Sequence, residues 1–134
     1  MAEAQTVKAT FQVGSWDEQE WDAREGVARL TRADVTRSYD GDIEGSSTTT
    51  WLMAYAPDGS ATFVGLERIA GSLTGRAGTL VLQHVGGYAD GAAKATLTIV
   101  DGAGTGDLAT ATGVGSFLAD PNGTIELEVS WPGS

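Results

Sequence analysis

The 134-residue chain carries 18 acidic side chains against 8 basic ones, a formal charge of −10, and no cysteine. That charge repels phosphate backbones and argues against a nucleic-acid role. The missing thiols exclude a disulfide framework, a thiol nucleophile and a cysteine zinc site.

The length suits one domain, taken as 1–134, which buries about two-thirds of the surface its unfolded chain exposes. The opening "MAEAQTVKATFQ" has no basic n-region and no apolar h-region, so no secretion leader is expected. No run approaches the roughly 18 apolar residues that span a bilayer. The expectation is a soluble cytoplasmic protein with no membrane partner.

Period-two alternation dominates the chain from its start. "ATFQVGS" sets Phe11 and Val13 on one face against Thr10 and Gln12. The acidic "SWDEQEWDAREG" at 15–26 reads as a turn or two of helix or an irregular lid. "KATLTIV" alternates Leu97 and Ile99 against Thr96 and Thr98, and "TIELEVSW" alternates Ile125, Leu127 and Val129 against Glu126, Glu128 and Ser130. Such segments are strands with one apolar face. Between them lie "YDGD", "PDGS", "LTGR", "ADGA", "VDGAG" and "DPNG", whose Asp-Gly and Asn-Gly steps supply the positive φ of tight hairpins. The 19 glycines are punctuation of this kind, not a linker. "TGDLAT" at 105–110 has room for one helical turn. About eight strands in a meander are expected. Closing the sheet on itself hides both edges, so the fold class is all-β: an eight-stranded antiparallel closed β-barrel with little helix.

The strand "TLVLQHVGGYADG" at 79–91 holds the one histidine of the chain. His84 shares a face with Leu80 and Leu82, which is taken as the core face. In the preceding "ATFVGLERIAG", Phe63, Gly65, Glu67 and Ile69 share a face, and a turn at "LTGR" makes the two strands antiparallel. Glu67 then lies opposite Leu82 or opposite His84, and in either register the two are direct or diagonal neighbours. A carboxylate beside an imidazole in an apolar barrel is an acid/base candidate, since burial and partner shift both groups. A structural or ligand-orienting role, with Glu67 satisfying His84 or Arg68, weighs more.

In "TTTWLMAYA", Trp51, Met53 and Tyr55 share one face. Their broad aromatic and thioether surface suits a flat or hydrophobic ligand, and it suits core filling at least as well. Simple pairing of the hairpin puts Trp51 and Phe63 on opposite faces unless a bulge intervenes. "DGDIEG" at 40–45 is similar to a calcium loop but ends on Trp51 where a bidentate glutamate is required, so calcium is rejected and Glu44 is kept as an interior candidate. "GAGTGDL" lacks the lysine and the βαβ setting of a phosphate cradle. No nucleophile elbow is present, and one histidine cannot build a multi-histidine site. Neither a metal nor a cofactor is expected.

The stretches "SWDEQEWDAREGVARLTRADVTRSYDGDIEG", "LMAYAPDGSATFVGLERIAGSLTGRAGTLVLQHVG" and "GAGTGDL" resemble domain-of-unknown-function family 3224, small bacterial proteins. The resemblance runs from about Phe11 to about Phe117, most of the chain. That family resembles the plant allene oxide cyclases in fold, which implies a calycin-like eight-stranded barrel with a cavity. Glu44, Tyr55, Glu67, Arg68, Gln83 and His84 are the polar residues that recur in the signature.

The leading expectation is a barrel that encloses a hydrophobic small molecule, as a cofactor-independent cyclase or isomerase if it is an enzyme. In that reading Glu67 and His84 move a proton and Tyr55 stabilises charge on oxygen. Trp51, Met53 and Phe63 shape the cavity, with Glu44, Arg68 and Gln83 as further ligand contacts. A lipocalin-like carrier is the alternative. So is an interaction protein with a filled barrel, a homo-oligomer suggested by apolar residues on both faces of "TLVLQHV" and "ATFVGLERI".

Overall fold

Alternating residues and tight turns build a continuous antiparallel meander in the computed structural model, which describes residues 4–120 and 122–132. The first three residues of the opening segment and Pro121 of the "DPNG" turn lie outside them. The strands are β1 (Gln5–Asp22), β2 (Arg29–Gly41), β3 (Ile43–Tyr55), β4 (Ala61–Leu73), β5 (Arg76–Ala89), β6 (Ala92–Ile99), β7 (Thr105–Gly106), β8 (Thr112–Ala119) and β9 (Gly123–Ser130). Each main strand pairs antiparallel with the next, β6 pairs with β8, and β9 returns to β1. The result is a closed eight-stranded barrel. β7 lies outside it, against Gly78 and Thr79 of β5.

Two turns show why the meander is tight. Thr74 and Gly75, at φ 47° and 88°, join Leu73 to Arg76, and Asp90 and Gly91, at φ 53° and 79°, join Ala89 to Ala92. Both central residues of each turn are left-handed, the geometry whose twist matches that of the flanking strands.

The apolar phase of every main strand points inward. Val7, Ile43, Ile69, Leu73, Leu80, Leu82, Leu127 and Val129 are completely buried. They fill the half of the barrel that holds the β4–β5 turn. Leu108 and Ala111, from the connection after β7, are buried there too.

Two expectations about helix are corrected. Residues 15–22 continue β1, past a register shift between Val13 and Ser15, and pair with β2 as far as Asp22↔Leu30. Cross-strand partners win over the local acidic composition. Residues 105–110 form β7 and a run of turns, since Gly106 pairs with Gly78 and Leu108, Ala109 and Ala111 each donate only to the carbonyl three residues back. No helix among the described residues is long and apolar enough to cross a membrane.

Candidate functional site

A carboxylate sits at the middle of the barrel because β4 carries Glu67 in its inward phase, between Gly65 and Ile69. Glu67 is opposite Leu82 and diagonal to His84, which faces Gly65. His84 Nε2 lies 2.9 Å from Glu67 Oε1. Oε2 accepts the phenol of Tyr39 at 2.5 Å and the hydroxyl of Ser47 at 2.6 Å. Arg37 Nη1 lies 3.8 Å from Oε1, an ion pair too long for a hydrogen bond. Glu67 and His84 are both 0% exposed and Arg37 is 2% exposed.

Burial alone would raise the Glu67 carboxyl. The hydrogen bond from His84 and the charge of Arg37 outweigh it and hold the group below its ordinary range. Tyr39 is pushed the other way, by burial first and by the adjacent Glu67 charge next.

Trp51 Nε1 donates to His84 Nδ1 at 3.2 Å. An indole N–H can only donate, so Nδ1 is the acceptor and the imidazole proton resides on Nε2, aimed at Glu67. Both ring nitrogens are therefore occupied. A neighbouring glycine makes room for this arrangement: a Cβ on Gly65 would stand 2.1 Å from the Thr50 carbonyl oxygen and 2.6 Å from Trp51 Cδ1.

Above this layer the barrel is open. A cavity of ≈ 330 Å³ is lined by Phe11, Val13, Trp16, Arg37, Trp51, Met53, Tyr55, Gly59, Ala61, Phe63, Tyr88, Ala93, Phe117 and Ala119. Arg37, Trp51 and Phe117 make its floor, and Glu67 and His84 lie beneath that floor, outside the lining. The Arg37 guanidinium is packed on aromatic faces, 4.1 Å from the Phe11 centroid, 4.6 Å from Phe117 and 5.1 Å from Trp51. Its Nε and Nη1 are buried without a hydrogen-bond partner.

At the rim, the extended β1 brings a second carboxylate. Glu18 accepts the Tyr55 phenol at 2.5 Å, Thr31 at 2.7 Å and the Trp16 indole at 2.9 Å. Desolvation acts to raise this carboxyl, and the hydrogen bonds from Tyr55, Thr31 and Trp16 bring it below the usual range. The Trp16 ring lies 5.5 Å from that of Trp51.

Several expectations meet this geometry. Trp51, Met53, Tyr55 and Phe63 line the cavity together. Trp51 and Phe63 share the interior without a bulge, their centroids 4.8 Å apart. The connection at 56–60 has five residues, so Tyr55 pairs with Ala61 and Met53 with Phe63, odd with odd. The opposite-face expectation is thereby corrected. Glu44, Arg68 and Gln83 do not face the interior, and all three are exposed. Each follows or precedes a fully buried residue (Ile43, Glu67 and His84 respectively), and a strand that points one side chain in points the next one out. Arg37 and Tyr39 were missed. The signal was present in "ADVTRSYDG", where Ala33 and Val35 set the inward phase that Arg37 and Tyr39 continue. Among the described residues no group of three or more His, Cys, Asp or Glu is placed to hold a metal ion.

Comparisons with known proteins agree with this architecture. No curated protein matches the sequence. A crystal structure of a protein of unknown function from the DUF3224 family of Shewanella oneidensis MR-1 is similar, with a TM-score of 0.77 and 27% identity over 96% of this chain and 98% of that one. The family model described as "Protein of unknown function (DUF3224)" matches residues 7–131, nearly the whole length, and the chain belongs to that family.

Proposed function

We propose that this barrel binds a small, largely apolar molecule in the cavity above Arg37, Trp51 and Phe117. The observation that carries the reading is the cavity itself: ≈ 330 Å³, walled by aromatic rings and Met53, with few polar groups. That volume and lining fall within the range of ordinary small-molecule sites. Binding, not turnover, is the reading adopted for the Glu67–His84 pair. Neither residue lines the cavity, and both ring nitrogens of His84 and both oxygens of Glu67 have partners inside the protein, so they serve to position Arg37 and Trp51.

The test is titration with the neutral fluorescent probe N-phenyl-1-naphthylamine. Saturable enhancement is expected in the natural chain and its loss in Ala93→Trp, which fills the cavity. Absence of saturable enhancement in the natural chain would overturn the reading.

A second reading is favoured by the outer wall. Leu52, Val64, Leu66, Val85 and Val114 are all about half exposed. The register sets Leu52 beside Val64 and Val64 beside Val85, an apolar row across three strands. We propose a homo-oligomer through this face, compatible with binding inside. Sedimentation should give a multiple of the 13.8 kDa chain mass that Val64→Glu reduces to the monomer; a monomeric natural chain ends the idea.

A further inference from the structure

The barrel closes between β9 and β1 only along Gln5–Phe11 of the first strand. Beyond that point β1 runs on to Asp22, held by β2 on one side alone. Among the described residues no strand, turn or loop bonds to the other edge of residues 12–22. Away from its bulges, every second residue there turns its N–H and C=O outward. Such a row of unmet partners is what another extended chain can complete.

The side chains along this edge say what kind of chain fits. The segment reads "QVGSWDEQEWD", exposed at every residue but Glu18 and Asp22, which are half-buried. Glu20 is paired with Arg29 at 3.2 Å and Asp22 with Arg24 at 2.8 Å. Asp17 and Glu18, at the centre of the edge, have no ion pair among the described residues. Asp17 lies opposite Asp34 of β2, two like charges on facing residues. The nearby Arg32 is already engaged by Asp34 at 3.2 Å. Glu18 lies opposite the buried Ala33, so it projects from the other face of the sheet. Two carboxylates without a counter-ion thus stand on successive residues, one on each face. Beside them Trp16 and Trp21 are 47% and 60% exposed, and indole faces attract cations.

We propose that the free edge of β1 receives an extended, basic segment of another protein as an added strand. Main-chain bonds to residues 12–22 hold the segment, and its side chains choose it. Consecutive basic residues point to opposite faces of a strand, so one meets Asp17 and the next meets Glu18. A second copy of this chain is disfavoured, because it brings the same carboxylates to the same line. Nothing in this pairing depends on the cavity being filled.

The probe is acetyl-Thr-Arg-Arg-Val-Arg-Arg-Thr-amide, titrated at low ionic strength and followed by tryptophan fluorescence. Saturable binding is expected, and the same peptide with glutamate in place of arginine should not bind. Two further versions carry N-methyl groups on the odd or on the even amides. Only one set of amides faces β1, so one version should bind like the parent. The other should bind about tenfold or more weaker. Hydrogen exchange should slow at alternate amides within 12–22 when the parent peptide is added. Asp17→Lys, folded by circular dichroism, should weaken the parent about fivefold.

No saturable binding of the basic peptide overturns the inference. So does equal affinity of the two methylated versions, which would mean attraction by charge alone. Protection that falls outside 12–22 places the peptide elsewhere and also overturns it. Edge amides already protected in the free protein, and more so as its concentration rises, would put a second copy there instead.

Discussion

The indole N–H of Trp51 points at Nδ1 of His84 across 3.2 Å, and that contact fixes which ring nitrogen holds the proton. The other nitrogen then donates to Glu67. Because the chain has a single histidine, one set of imidazole resonances reports the whole arrangement. Long-range nitrogen–proton correlation spectra near neutral pH should show the Nε2-protonated tautomer. Trp51→Phe should let the two tautomers mix, as it removes the donor without emptying the site of its ring. A natural chain with the proton on Nδ1 would refute the assignment.

Glu67→Gln should be costly to the fold. The amide offers a donor to a position surrounded by three donors, Tyr39, Ser47 and His84, and it leaves the Arg37 cation buried without a counter-charge. Removing one partner of a buried pair costs about 3–5 kcal/mol, a large part of the roughly 5–15 kcal/mol that holds a domain together. Guanidinium chloride unfolding should show this loss, and Arg37→Met added to it should restore part. A single variant as stable as the natural chain would show that Glu67 is not ionised in the folded state. Where the variant is still folded, it should keep its affinity for apolar probes, whereas an acid/base enzyme would lose turnover.

The same group sets a window of stability against pH. The folded protein holds Glu67 below its ordinary 4.5, because the His84 hydrogen bond and the Arg37 charge overcome the opposing effect of burial. As pH falls the unfolded chain takes up this proton first. The stability it contributes is whole above about 4.5 and is lost as pH drops through the folded value. Tyr39 has the opposite sense. Burial and the Glu67 charge raise its phenol above the ordinary 10.0, so its contribution is complete below that pH and falls away above it. Denaturation midpoints should fall on both sides of this window. Tyr39→Phe should flatten the alkaline limb and, by removing a hydrogen bond to the Glu67 carboxylate, bring the acid limb to higher pH, and an unchanged alkaline limb counts against the placement of Tyr39.

Gly65 is the tightest point of the layer. A methyl group there meets the Thr50 carbonyl at 2.1 Å and the Trp51 ring at 2.6 Å, so the strand or the indole must move. Gly65→Ala should cost about 1–3 kcal/mol, the usual penalty for overpacking. Near-ultraviolet circular dichroism should change with it, as Trp51 turns away from His84. A variant with native stability and an unaltered spectrum would mean that the close approach is not real.

The sequence made the barrel legible because period-two patterning and Asp-Gly turns both speak locally. Ile125, Leu127 and Val129 alternate with charged and polar neighbours and are buried as that pattern requires. Glu67 and His84 could be put side by side because a two-residue turn at Thr74 and Gly75 fixes the register between their strands. Where the turn was longer, the reading failed: five residues at 56–60 decide whether Trp51 and Phe63 meet, and loop length is not written in the strands. Arg37 shows a different limit. A cation in an inward phase is overlooked when residue type is weighed above position, although Ala33 and Val35 announced the phase. Glu44, Arg68 and Gln83, singled out because they recur in the family signature, stand on the outward phase of their own strands.

The floor of Arg37, Trp51 and Phe117 has a kinetic consequence. With the far half of the barrel packed solid by Leu73, Leu80, Leu127 and their neighbours, the interior is a cul-de-sac, not a tunnel. Whatever enters past Tyr55 and Tyr88 must retreat by the same door. Arrival and departure are one path travelled in two directions, and the side chains at the rim govern both. Trp16, drawn against Trp51 by the grip of Glu18 on its indole, stands at that threshold. For the guest proposed above, the residence time would thus be set at the doorway as well as on the floor.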